Sequence, residues 1–291
     1  MRRFIKYITA GCCTAILATL SISCTKDDLA VEDPNIMKFN FTHPDASTKL
    51  SENTFEIGDT IGLYLTESTK PLDYSGNYVN NAFLAYNSGK WESATPIYWN
   101  NGTYNAYAYY PYTKDVGNVT DFPVSVSTDQ SINANYMKSD FLWCSNKGIT
   151  AGNGAVQMHF AHKMSRILIK LAKSDDYEGD LPENASVYIH NTVTEATADL
   201  NVGNVTKNNR ASAKTIKAKH LGNNLYTAIL VPQRLDSRRP LVEIVTAGVS
   251  YLYEAKFIFK PGVQHNVTLV ISDNPERIKI EIGGEIEHWN E

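Results

Sequence analysis

Apolar and other side chains alternate one by one in the stretch Ile61-Gly62-Leu63-Tyr64-Leu65-Thr66. A period of two is typical of a β-strand, because successive side chains of an extended chain point to opposite faces. The stretch therefore predicts a strand that carries its Ile and both Leu on one face. Segments of this kind decide the fold class of the chain.

The same alternation recurs along the sequence, and helical periodicity does not. Paired or triple apolar positions occur at Phe39 and Phe41, at Val187 and Ile189, at Val267, Leu269 and Ile271, and at Ile278, Ile280 and Ile282. Gly-containing pairs such as Asn101-Gly102 and Pro261-Gly262 separate the runs, as turns do. Only Asn80 to Tyr86 and Met137 to Asp140 are compatible with short helices. The pattern predicts an all-β chain of antiparallel β-sandwiches.

Length and composition indicate the domain organisation. The chain has 291 residues, of which 43% are apolar, and its formal net charge is −4. These values favour folded cores over disorder and argue against a nucleic-acid-binding protein. Two sandwiches suit this length, and the most linker-like stretch is Thr150 to Gly154. We predict a signal peptide at 1–23, a flexible tether at 24–35, an N-terminal sandwich at 36–154 and a C-terminal sandwich at 155–291.

The N-terminus reads as a lipoprotein signal. Arg2, Arg3 and Lys6 precede the uncharged, mostly apolar stretch Tyr7 to Ile22, which is short for a membrane span. The stretch Leu20-Ser21-Ile22-Ser23-Cys24 loosely matches a bacterial lipobox, so Cys24 is the predicted lipidation site. An uncleaved membrane anchor is the alternative. The acidic pair Asp27-Asp28 resembles a signal for export to the cell surface, which places the protein at the outer membrane.

The remaining cysteine and the paired histidines are predicted to be structural. Processing would leave Cys144 alone among apolar neighbours, which favours a buried residue over a catalytic thiol or a zinc ligand. His159 and His162 form a His-x-x-His pair, but positions i and i+3 of a strand point to opposite faces. We therefore expect one packed and one exposed imidazole.

No stretch carries a recognisable catalytic motif, and we predict no enzyme activity, cofactor or metal. Glu281, Glu285 and Glu287 lie near His288, where a solvated strand face is favoured over the paired carboxylates of a hydrolase. The aromatic-rich stretch Tyr98 to Tyr112 has two readings. Its rings form either an exposed platform for sugars or part of a β core, and the core is favoured.

An ordered series of segments resembles the Bacteroides-type fimbrillin family, the subunits of type V pili. The segments are Phe55 to Tyr64, Ile97-Tyr98-Trp99, Ala106 to Tyr112, Asp129-Gln130-Ser131, Ser139 to Trp143, Phe160 to Ser165, and Trp289-Asn290. The resemblance covers essentially the whole mature chain. It implies two transthyretin-like β-sandwich domains in tandem and a lipoprotein precursor that is delivered to the outer surface.

The resemblance also implies assembly by strand exchange. A protease cuts after a basic residue just past the first strand, and a strand from another subunit fills the groove that opens. In this sequence Phe39 and Phe41 are the matching plug residues, and Lys49 follows Thr48 at the cleavage position. The candidate donor strand carries Ile278, Ile280, Ile282 and Trp289.

These observations predict a structural or adhesive pilus subunit in a shaft, tip or anchor role. Its expected partners are other pilus subunits, the outer membrane through the lipid, and a host surface or glycan. No nucleic-acid partner is expected. The alternative hypothesis is a surface-exposed glycan-binding lipoprotein.

Overall fold

The computed structural model describes residues 33–44, 55–152, 154–246 and 248–272, and the backbone of 279–287. The predicted signal peptide and most of the tether lie outside these residues. The described elements, in chain order, are β1 Phe39–Thr42, β2 Thr60–Glu67, β3 Val79–Asn87, β4 Lys90–Ser93, β5 Tyr104–Tyr110, β6 Phe122–Ser125, α1 Asn133–Lys138, β7 Leu142–Ile149, β8 Val156–His159, β9 Ala161–His162, β10 Ser165–Lys173, β11 Ser186–Thr192, β12 Glu195–Asp199, β13 Asn204–Lys207, β14 Lys214–Lys217, β15 Lys219–Gly222, β16 Leu225–Leu230, β17 Gln233–Thr246, β18 Val249–Phe259, β19 Val263–Ile271 and β20 Lys279–Glu287.

The strands form several mostly antiparallel sheets, so the predicted all-β class is confirmed. A six-stranded sheet has the order β4-β3-β2-β5-β7-β9, and β1 pairs with β8 beside it. Further along the chain a five-stranded sheet, β15-β16-β10-β19-β20, accompanies a four-stranded sheet, β14-β11-β17-β18. A small sheet, β13-β12-β6, joins β6 to two strands from later in the chain. The division into two transthyretin-like domains stays a prediction.

Strand β5 is buried at all seven positions and separates two hydrophobic clusters. Tyr104, Ala106, Ala108 and Tyr110 belong to one cluster, and Tyr107 and Tyr109 belong to the other. Because side chains alternate between faces, one strand supplies both cores. Both clusters lie within the compact unit Pro34–Glu291.

The smaller cluster includes residues on both sides of the predicted domain boundary at 154. Val156 and Met158, from β8, pack there with Phe41, Ile61 and Leu63. The boundary itself stays a prediction. The structure assigns β8 to the same core as β1 and β2.

Local sequence was misleading where it was compatible with helices. Residues 80–86 lie in β3, which pairs with β2 and β4, so tertiary pairing overrides local preference. The helix α1 spans six residues and overlaps the second stretch only at Met137 and Lys138. Among the described residues, no helix has the length and apolar character needed to cross a membrane.

The side chain of Gln130 pairs with the backbone of Ile229 in β16 as the backbone of a neighbouring strand would. This side chain is fully buried, and its amide nitrogen donates to the carbonyl of Ile229 at 2.7 Å. The amide oxygen of Gln130 accepts a hydrogen bond from the backbone N–H of Ile229 at 2.8 Å. The side chain therefore satisfies both backbone groups of a buried position in β16, as a neighbouring strand would.

Gly62 in β2 is required by close packing against β5. A Cβ atom at this position would lie 2.3 Å from Cε1 of Tyr109 and 2.6 Å from Oδ1 of Asn81. The Tyr109 ring cannot easily retreat, because it is buried between the sheets and its hydroxyl contacts Asn81 Oδ1 at 2.8 Å.

The substitution Gly62→Ala is expected to lower the free energy of unfolding by about 1–3 kcal/mol, as overpacking does in other cores. Chemical denaturation followed by tryptophan fluorescence measures the change. Gly117→Ala is the matched control, because a Cβ there meets nothing within 4 Å and its φ is not left-handed. Equal stabilities of the two variants would contradict the packing argument.

Candidate functional site

The segment that ends in β1 is held by two short neighbouring segments. The N–H of Met37 donates to the carbonyl of Ile97 at 2.7 Å, and the N–H of Trp99 donates to the carbonyl of Asn35 at 2.6 Å. Ile36 makes an isolated antiparallel bridge with Tyr98 between these bonds. The stretch before β1 thus lies along residues 97–99.

Strand β1 itself runs parallel to β8. Phe39 is paired with Val156 and Phe41 with Met158, and Asn40 Nδ2 donates to Gln157 Oε1 at 2.8 Å. Within the described residues, β8 has no other strand partner. Taking β1 away would therefore leave the backbone groups on that edge of β8 without their partners.

Aromatic rings enclose the side chain of Phe41. The residue is 6% exposed, and its ring centroid lies 5.6 Å from Trp91 and 5.8 Å from Phe160. Phe55 packs behind both of these rings, at 4.8 and 5.7 Å. We call the edge of β8 together with Trp91 and Phe160 the β1 seat.

Met37 and Phe39, two further apolar residues of this segment, differ in their burial. Met37 is 5% exposed and belongs to the same cluster as Phe41. Phe39 is only partly buried and stacks on Phe41 at 5.9 Å. Of the two Phe side chains of β1, Phe41 is therefore the more deeply buried.

The segment that connects β1 to β2 begins and ends with two residues that contact each other, His43 and Phe55. His43, directly after β1, lies 4.8 Å from the ring of Phe55, and both residues are buried. Between them, residues 45–54, which include Lys49, lie outside the described residues. A cut there would leave β1 held only by non-covalent contacts.

The side chains next to His43 are polar, and they contact one another. The His162 ring lies 5.9 Å from that of His43, and its Nδ1 lies 2.9 Å from a carboxylate oxygen of Asp140. Burial, followed by the nearby Asp59 carboxylate, raises the pKa of Tyr110 far above its usual range. The Tyr110 hydroxyl is therefore protonated near physiological pH and donates to Asp59 Oδ1 at 3.2 Å.

At the other end of the chain, β20 pairs antiparallel with β19 at the edge of the five-stranded sheet. Ile280 is opposite Leu269 and Ile282 is opposite Val267, and both partners are buried. The register shifts between Asn266 and Val267, where Gly283 is the extra residue on β20. Of the predicted donor residues, Ile278 and Trp289 lie outside the described residues.

The sequence profile of the fimbrillin-like family matches residues 48–289. The chain belongs to the fimbrillin-like family. The match covers most of the chain, and the resemblance inferred from the segments between Phe55 and Asn290 is thereby confirmed.

Individual relatives of this fimbrillin-like chain agree with that assignment. A protein of Bacteroides ovatus, provisionally named fimbrium tip subunit Fim1C, is 29% identical over 162 residues. The aligned region is 49% of this chain and only 29% of that relative, so most of the relative has no counterpart in the match.

Solved structures share the fold. A protein of Bacteroides uniformis, provisionally called a cell adhesion protein, superposes with a TM-score of 0.67 at 18% identity, covering 87% of this chain and 98% of its own. A second one, from Bacteroides ovatus, gives a TM-score of 0.69 at 16% identity, covering 88% and 97%.

Several predictions for single residues of the fimbrillin-like chain can be compared with the structure. His159 is exposed and His162 is buried, as the spacing predicted. Cys144 is a buried free thiol, as predicted, and burial raises its pKa. Cys24 and Lys49 lie outside the described residues, so their roles stay predictions. The displacement of Phe39 and Phe41 is likewise untested.

The aromatic-rich stretch belongs mainly to the core, as favoured from the sequence. Tyr104, Tyr107, Tyr109 and Tyr110 are all less than 9% exposed, while Tyr98 is 46% exposed. Most of the rings that suggested a sugar platform are therefore inaccessible to a ligand.

The sequence analysis did not identify Trp91 and Phe160 as the rings that surround Phe41. Trp91 and Phe160 come from β4 and from the link between β8 and β9, far from Phe41 in sequence. Phe160 was noted only as part of a family segment. No periodicity connects such residues, because their proximity arises from the pairing of β1 with β8.

The substitution Phe41→Ala is expected to lower the free energy of unfolding by about 3–5 kcal/mol, since it empties an aromatic pocket. Asn40→Ala, on the exposed side of the same strand, should cost less than about 1 kcal/mol because it removes one exposed hydrogen bond. Urea unfolding of both variants measures the difference. A Phe41→Ala protein as stable as Asn40→Ala would show that the seat does not depend on this ring.

Proposed function

We propose that this protein is a structural or adhesive subunit of a cell-surface pilus, exported as a lipoprotein and assembled by strand exchange. Membership of the fimbrillin-like family supports the pilus role. The relative provisionally named a fimbrium tip subunit supports a place in the fimbrium, at its tip, in its shaft or at its anchor. Lipidation at Cys24 would hold the precursor at the outer membrane.

The observation that carries the proposal is the construction of the β1 seat. Strand β1 has four residues, and within the described residues β8 is its only strand partner. Its main apolar contribution is one ring in a pocket made by other parts of the chain. Such a strand can be replaced by another of the same pattern at little cost to the remaining core.

The predicted processing site lies where it would free this strand. Lys49 belongs to the segment between His43 and Phe55, whose ends are packed against each other. Cleavage there would cut the covalent link between β1 and β2. Main-chain bonds along β8 would then give an incoming strand affinity, and the Phe41 pocket would give it specificity.

The proposed donor is the C-terminal strand. Ile280-Glu281-Ile282 repeats the apolar–polar–apolar order of Phe39-Asn40-Phe41. Strand β20 lies at the edge of its sheet and pairs only with β19 among the described strands. An edge strand can leave its sheet and pair with another subunit without breaking a central ladder.

The glycan-binding alternative loses its main support, because most of the rings between Tyr98 and Tyr112 are buried. A host ligand is therefore proposed only as a partner of the assembled pilus.

Lys49→Gln tests the cleavage step. Without a basic residue at this position, a trypsin-like protease has no cut site there, so the surface protein should keep lipidated Cys24 at its N-terminus. Wild-type protein should begin at Leu50 and form detergent-resistant ladders on gels. Mass spectrometry of the N-terminal peptide and surface immunoblots measure both properties, and Lys90→Gln, at an exposed position of β4, is the control. Normal ladders from Lys49→Gln would refute cleavage at this site.

Ile280→Asp combined with Ile282→Asp tests the donor strand. Charges at both positions should abolish the polymer, because an apolar pocket will not accept them. Glu281→Gln alters the intervening position and should polymerise normally. Thermal unfolding of each monomer checks that the fold is retained. Full-length ladders from the double variant would refute donation by this strand but not the family assignment.

A further inference from the structure

Strand β18 ends the four-stranded sheet β14-β11-β17-β18 and is its longest open edge. It has 11 residues, whereas the edge strands β4, β13, β14 and β15 have four each. In the part of the chain that the structure describes, β17 is its only strand partner. Long edges of this kind are normally covered or interrupted, because they present a row of unpaired N–H and C=O groups.

The direction of these backbone groups can be read from Pro240, which is paired with Glu254 across β17 and β18. Proline has no N–H, and the carbonyl of Pro240 accepts instead from Nδ2 of Asn191 on β11 at 2.7 Å. Pro240 and Glu254 therefore exchange no backbone bonds. The register of β17 against β18 shifts on either side of this pair. Because the Pro240 carbonyl points to β11, the N–H and C=O of Glu254 face away from β17, towards the open edge.

Backbone direction and side-chain face both alternate along a strand, so the same holds for Leu252, Lys256 and Ile258. These four side chains lie on the solvent side of the sheet. Leu252 is 47% exposed and Ile258 is 43% exposed, with the two charged residues between them. The outer face of β18 thus reads apolar, acidic, basic, apolar.

Two antiparallel copies of this order are complementary, because each acidic residue is opposite a basic one and each apolar residue is opposite an apolar one. If two copies of β18 run antiparallel around Ala255, Glu254 of one copy is opposite Lys256 of the other. In the same register Leu252 is opposite Ile258. Each pairing occurs twice, and the two Ala255 residues, among the smallest of the strand, meet at the axis where the backbones approach most closely.

We propose that two copies of this protein associate through β18, edge to edge and antiparallel, with the two-fold axis at Ala255. The two sheets then join into one continuous eight-stranded sheet. Two opposite-charge pairs and two apolar pairs lie on its outer face. Such an isologous contact closes on itself and leaves the seat of β1 untouched.

The proposed pairing of Glu254 with Lys256 competes with one ion pair within the chain, between Glu254 and Arg238. Arg238 Nε lies 3.6 Å from Glu254 Oε2, but both side chains are largely exposed. An exposed ion pair of this length contributes little, so Glu254 can turn towards Lys256 of the second copy. Arg238 remains free to approach the same carboxylate from its own side.

Sedimentation velocity of residues 25–291 over a range of concentrations tests the proposal without lipid or pilus assembly. Wild type should show a reversible monomer–dimer equilibrium. Lys256→Glu places like charges opposite each other twice and should raise the dissociation constant at least about tenfold. Glu254→Lys should do the same. The double variant Glu254→Lys with Lys256→Glu restores complementary pairs and should dimerise like wild type.

Lys90→Glu, at an exposed position of edge strand β4, makes the same charge change elsewhere and should leave the equilibrium unaltered. Ala255→Cys gives an independent readout, because the axial pair should form an intermolecular disulfide on mild oxidation. A wild-type protein that stays monomeric up to about 1 mM would overturn the proposal. So would Lys256→Glu dimerising as wild type does, or a double variant that remains monomeric.

Discussion

Burial of β5 on both faces is the constraint on which the rest of the structure depends. Its seven residues are all buried, and all of them except Asn105 belong alternately to two hydrophobic clusters. The strand also holds β2 and β7 in register on either side. Gly62 must lack a side chain because Tyr109 from this strand occupies the space. A change that moves β5 would thus disturb both cores at once.

The β1 seat lies on the smaller of these two cores, and a comparison with β10 shows that β1 is the less deeply integrated strand. Both strands pair parallel with a later strand, β1 with β8 and β10 with β19. Strand β10, however, has nine residues and is paired on its other side with β16. Removing β10 would split a five-stranded sheet, whereas β1 can be removed from an edge.

Sequence periodicity predicted the fold class because period-two alternation depends only on neighbouring residues. It placed Ile61, Leu63 and Leu65 on one face, where all three are buried. The spacing of His159 and His162 correctly separated a packed from an exposed imidazole. Periodicity did not identify β3, since residues 80–86 become a strand only through pairing with β2 and β4. Nor could it identify Trp91 or Phe160 as the walls around Phe41, because these contacts join distant segments.

The parallel pairing of β1 with β8 has a consequence for filament geometry. A replacement strand has to enter with the same direction as β1, because the pocket for Phe41 and the bonds to residues 97–99 lie in a fixed order along it. Each subunit would then offer its C-terminus to the next one in a single orientation. Under the proposed strand exchange, successive subunits would be related head to tail, so the fibre would be polar and its two ends chemically distinct.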